Sequence, residues 1–128
     1  MKSNLPCALL AGSHSGLSEG IRLLLATMFE VVVTVNDATS LVETVGQLNP
    51  KIAIIDVNLV RGDMGTLLQD LHFNCPTARI LLLGCHNEAG FMESLLDAGA
   101  DSFVLKQAIA TEILPAVERL LGGARNVS

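Results

Sequence analysis

The sequence predicts an α/β domain built on a doubly wound parallel sheet. Three observations carry that prediction. Short apolar runs alternate five times with segments of helical periodicity. The apolar content is aliphatic: half of the 128 residues are hydrophobic, yet there are four Phe and no Trp or Tyr. That suits strands covered by helices on both faces. Finally, a carboxylate, Asp56, closes the run Ile52-Ala53-Ile54-Ile55. A charge at the exit of a buried strand is costly unless something uses it. The carboxyl ends of the strands are also where open α/β sheets place their sites.

Taken in order, Leu5 to Ala11 is the first strand. Leu17, Ile21, Leu24, Leu25 and Met28 then recur at helical spacing. Glu30 to Val35 is β-branched and reads as the second strand. Leu41, Val45 and Leu48 mark one face of the second helix, which Asn49-Pro50 stops. Lys51 to Asp56 is the third strand. A loop with Gly62 and Gly65 leads to a helix carrying Leu67, Leu68 and Leu71, broken at Cys75-Pro76. Arg79 to Gly84 is the fourth strand. Asn87 is placed to cap a helix bearing Phe91, Leu95 and Leu96, with Gly99 as its C-terminal glycine. Asp101 to Lys106 is the fifth strand. Thr111 is expected to cap the last helix, with Ile113, Val117 and Leu120 on one face. Pro115 then falls at the end of its first turn, where a lost donor matters little.

Composition narrows the function classes. A net charge of −5, with eight scattered Lys and Arg, argues against nucleic-acid binding by this segment itself. The three cysteines, Cys7, Cys75 and Cys85, fit no metal spacing and point to free thiols in a reducing compartment. Met1-Lys2-Ser3-Asn4 opens no long apolar leader, and no uncharged stretch approaches membrane-spanning length. A cytoplasmic protein with no membrane association is expected.

Three stretches carry a family resemblance: Ser18-Glu19-Gly20-Ile21-Arg22, Ile54-Ile55-Asp56-Val57-Asn58-Leu59, and Ala98-Gly99-Ala100-Asp101-Ser102-Phe103-Val104-Leu105-Lys106. They resemble the receiver domains of response regulators, the CheY-like family, and most of all those of regulators with a LuxR-type DNA-binding domain. The resemblance covers essentially the whole chain. It implies the flavodoxin-like strand order 2-1-3-4-5, which the CheY fold exemplifies. It also implies a receiver over residues 1–123 and, from 124 to 128, the start of a linker to an output domain outside this chain. In the family, the residue at the position of Asp56 accepts a phosphoryl group from a sensor histidine kinase. Magnesium is held there by that Asp, by an acidic pair after the first strand, and by the backbone carbonyl that here belongs to Asn58. Lys106 matches the family's lysine, which pairs with that Asp and later contacts the phosphoryl oxygens, so an Asp56–Lys106 ion pair is expected. A Thr or Ser after the fourth strand and an aromatic residue on the fifth form the family's switch. Those positions are Gly84 and Phe103 here.

This chain departs from the family where the chemistry is most demanding. Aligned back from Gly20, with His14 on the family's common His, the acidic pair falls on Gly12 and Ser13. Neither is a carboxylate. Magnesium prefers charged oxygen ligands, and phosphoryl transfer rests on charge neutralisation and positioning. Gly84 supplies no hydroxyl, Val60 stands where a Pro is usual, and the usual Met-Asp-Gly becomes Asp63-Met64-Gly65. The expectation is an atypical receiver without a metal cofactor, working by protein contact and by homodimerisation through its fourth and fifth helices. Two alternatives stand beside it. One is conventional magnesium-dependent phosphorylation of Asp56. The other is an anion or small ligand in the vacated pocket, cradled by Gly12-Ser13-His14-Ser15-Gly16. Nothing indicates an independent enzyme. His14 reads as a solvated loop residue and Cys85 as a buried, inert thiol near the site.

Overall fold

A computed structural model describes residues 5–12, 15–60, 63–85 and 91–122. Its strands are β1 (Leu5–Ala11), β2 (Phe29–Val35), β3 (Ile52–Asp56), β4 (Arg79–Gly84) and β5 (Ser102–Leu105). Its helices are α1 (Ser15–Leu25), α2 (Ala38–Leu48), α3 (Met64–Asn74), α4 (Phe91–Asp97) and α5 (Ile109–Gly122). The strands form one parallel sheet in the order β2-β1-β3-β4-β5, the order expected.

Side-chain alternation along the strands builds two cores. Ala53 and Ile55 of β3 face Leu41, Val45, Leu68 and Leu71, from α2 and α3. Ile52 and Ile54 face Ile21, Leu25, Ile113 and Val117, from α1 and α5. Every residue of β3 is buried, which accounts for its unbroken apolar run. Each large aliphatic side chain buried this way contributes about 1.5–3 kcal/mol. No helix among the described residues is long and apolar enough to cross a membrane.

Local signals fix the helix ends. Asp37 caps α2, its carboxylate accepting from the Ser40 amide at 2.7 Å. Asp63 caps α3 by accepting from the Gly65 amide at 3.1 Å. Asn49 ends α2 in the left-handed region, at φ 55°, and Gly99 beyond α4 has φ 127°. Asn is one of the few side-chain-bearing residues that tolerates this backbone, and Gly tolerates it freely.

Several boundaries differ from expectation. Gly65, expected in a loop, is the second residue of α3, and Met28 lies beyond the end of α1. β2 begins at Phe29, whose buried ring extends the strand one residue before Glu30. β3 opens at Ile52 rather than Lys51. β5 is shorter than Asp101 to Lys106. Asp101 turns its carboxylate back to accept from the Ile80 amide at 2.8 Å, and Lys106 already belongs to a short helical turn, Lys106–Ala108. That turn runs straight into α5, so Thr111 lies inside the helix and is not its cap. Its hydroxyl donates to the Ala108 carbonyl at 3.3 Å. Pro115 is therefore the seventh residue of α5 and removes the bond to the Thr111 carbonyl from the helix interior. The expected roles of Gly62, Asn87 and the 124–128 segment lie outside the described residues.

Candidate functional site

Strand register gathers the singled-out residues at one end of the sheet. Ala11 pairs with Ile55, so Gly12 follows β1 at the level of Asp56. Asp56 pairs with Leu83, which places Gly84 one step beyond it. Gly84 pairs with Leu105, and Lys106 comes next. This end flanks the point where the strand order reverses between β1 and β3, the usual location of a site in such sheets.

Asp56 is 2% exposed and the one buried charged residue among those described. Both carboxylate oxygens are engaged. Oδ1 accepts from the Asn58 amide at 2.9 Å, which caps the short turn Val57–Leu59. Oδ2 receives the Lys106 ammonium at 2.8 Å, and that lysine side chain is only 12% exposed. Burying two ions loses several kcal/mol of hydration for each, which their attraction roughly offsets. Removing one partner leaves the other buried and uncompensated, a loss of about 3–5 kcal/mol. The pair is a closed, neutral unit.

Gly84 and Phe103 fit together sterically. A Cβ on Gly84 would lie 2.6 Å from Phe103 Cζ, 3.3 Å from Cε2 and 3.4 Å from a Val57 methyl. The ring thus fills the volume that a side chain at 84 would need. Phe103 is half-buried and packs on the core shared by α2, α3 and α4. Gly12 differs in kind. A Cβ there would meet only the Ser18 hydroxyl, at 2.5 Å, the movable end of a short side chain. Space for a carboxylate at 12 opens by rotating Ser18, while space at 84 requires the ring to leave. Ser18 and Val57 belong to stretches that carry the family resemblance, but their packing against positions 12 and 84 leaves no signal in the sequence. Only the packing shows what they cover.

The donor set does not fit the family's magnesium. Asp56 is the sole carboxylate at this end contributed by a strand, and it already holds an ammonium. Gly12 has no ligand atom beyond its backbone. No group of three or more Asp, Glu, His or Cys among the described residues is arranged to hold a metal. Ser13 and His14, expected in the anion cradle, lie outside the described residues. Burial of Asp56 and Lys106 leaves little polar surface for a ligand to reach. Cys85 is exposed beside Gly84 and not buried as expected, because it lies one residue past the end of β4.

Comparison with known proteins bears on the same site. The family model described as the response regulator receiver domain matches residues 9–118. The transcriptional regulatory protein DegU of Brevibacillus brevis is 29% identical over 112 residues, covering 86% of this chain and 48% of DegU. A nitrate/nitrite response regulator protein homolog of Haemophilus influenzae is 32% identical over 118 residues, covering 90% and 56%. Among solved structures, the receiver domain of NarL from Mycobacterium tuberculosis superposes with a TM-score of 0.80 at 25% identity, covering 94% of this chain and 98% of that one. The isolated receiver of RcsB from Salmonella enterica serovar Typhimurium gives 0.80 at 25%, covering 94% and 91%. The chain spans about half the length of the curated relatives it matches.

Proposed function

The chain belongs to the response regulator receiver domain family, and on that premise we propose that it is an atypical receiver module. It passes a signal by protein–protein contact, through homodimerisation on the α4 and α5 side, to a DNA-binding output domain outside this chain. It does so without magnesium-dependent phosphorylation of Asp56. It is a signalling module and not an enzyme in its own right. The carrying observation is Gly12, which sets no second carboxylate beside Asp56, whose two oxygens are taken by the Asn58 amide and the Lys106 ammonium. The Gly84–Phe103 interlock supports the same reading, because no hydroxyl at 84 follows a phosphoryl oxygen. Unpaired cysteines at 7, 75 and 85 support a cytoplasmic setting.

Light scattering on the isolated domain tests this. The mass measured with magnesium and acetyl phosphate should equal the mass without them. A shift in oligomeric state that needs both reagents overturns the proposal. A second reading, slow phosphorylation of Asp56 by a sensor histidine kinase, is favoured by the survival of Asp56 and Lys106 together. It predicts such a shift once the kinase is added.

A further inference from the structure

Away from the Asp56–Lys106 pair, an open groove of about 870 Å3 runs between α2 and α3. Its size falls within the range of established ligand clefts. Val42, Leu59 and Leu67 supply an apolar floor. Asp37, Glu43, Asp63 and Asp70 line its sides, with no Lys, Arg or His among the described lining residues. Glu43 and Asp70 are exposed and make no side-chain hydrogen bond or ion pair among the described residues.

We propose that this groove docks a basic peptide segment of a separate protein, with an apolar side chain on the floor and Lys or Arg against the acidic sides. Charge selects the occupant. Four carboxylates around one cleft repel one another, and a cationic partner relieves that repulsion. A second copy of this chain carries the same −5 charge and is a poor candidate. A bare metal ion is a poor one as well. Asp37 and Asp63 are already engaged as helix caps, and the four are not grouped to hold a metal. A tethered segment is disfavoured by direction. The groove lies at the strand ends that carry Asn36 and Asn58, whereas α5 runs away from that end for 14 residues, roughly 21 Å. Asn58 and Leu59 line the groove and belong to the turn that Asp56 caps, so the occupant touches that turn.

A random 12-residue peptide library displayed on phage, selected against the whole chain, provides the probe. Sequences with Lys or Arg flanking an apolar residue should be enriched. The selected peptide should bind Glu43→Lys/Asp70→Lys at least about tenfold more weakly. These two positions leave both caps intact, so the fold is retained. Glu30→Lys/Glu118→Lys makes the same change in net charge elsewhere and should bind as the parent does. Neutral or acidic selected peptides, no enrichment, or equal weakening by both double variants overturns the proposal. So does displacement of the peptide by millimolar magnesium at constant ionic strength, which would assign the groove to a cation.

Discussion

At the scale of single residues, the candidate site is two complementary pairs. Asp56 and Lys106 were legible in the sequence, because a charge closing a buried apolar run stands out against its neighbours. Their pairing was expected from the family resemblance, and strand register brings the two ends to 2.8 Å. A double-mutant cycle measures it. Asp56→Asn and Lys106→Met, each alone, should destabilise the domain by about 3 kcal/mol in urea denaturation. The double variant should recover most of that loss. Simple addition of the two losses contradicts a coupled pair. Gly84 illustrates what a sequence hides: a glycine shows a missing side chain, but not what took its place. With Phe103 Cζ 2.6 Å from the absent Cβ, Gly84→Ser should cost about 1–3 kcal/mol from overpacking. In a Phe103→Leu background the same substitution should cost clearly less. Equal costs in the two backgrounds would separate the residues.

At the scale of elements, hydrophobic period and turn residues placed all five strands and five helices, because each buries one consistent face. Boundaries slipped where a side chain answers to a distant backbone group. Asp101 makes its strand start one residue late by reaching the Ile80 amide on β4, a contact between residues 21 positions apart. At α5 the start was missed because Thr111 has the chemistry of a cap but sits beyond a turn that already leads into the helix. Pro115 is thus an exposed interior proline. Pro115→Ala should restore the bond to the Thr111 carbonyl and raise the melting temperature by at least about 3 °C, equivalent to roughly 1 kcal/mol. Asp37→Ala should lower stability by about 1 kcal/mol through loss of the α2 cap. An unchanged melting temperature for either variant contradicts the element assignment.

At the scale of the whole molecule, the fold places its three cysteines in different environments, and thiol chemistry reads them out. Cys85 is exposed, Cys7 half-buried and Cys75 buried. Burial raises the pKa of the Cys7 thiol, which leaves less thiolate at mildly alkaline pH. Alkylation followed by peptide mapping should label Cys85 first, Cys7 more slowly, and Cys75 only on unfolding. Fast labelling of Cys75 in the folded protein contradicts this packing. The same fold keeps a receiver's scaffold while closing its carboxylate against a lysine. The most direct test of that claim is intact-mass spectrometry of the domain after incubation with acetyl phosphate and magnesium. The mass should remain that of the unmodified chain. Near-stoichiometric addition of one phosphoryl group, lost on Asp56→Asn, would contradict the account.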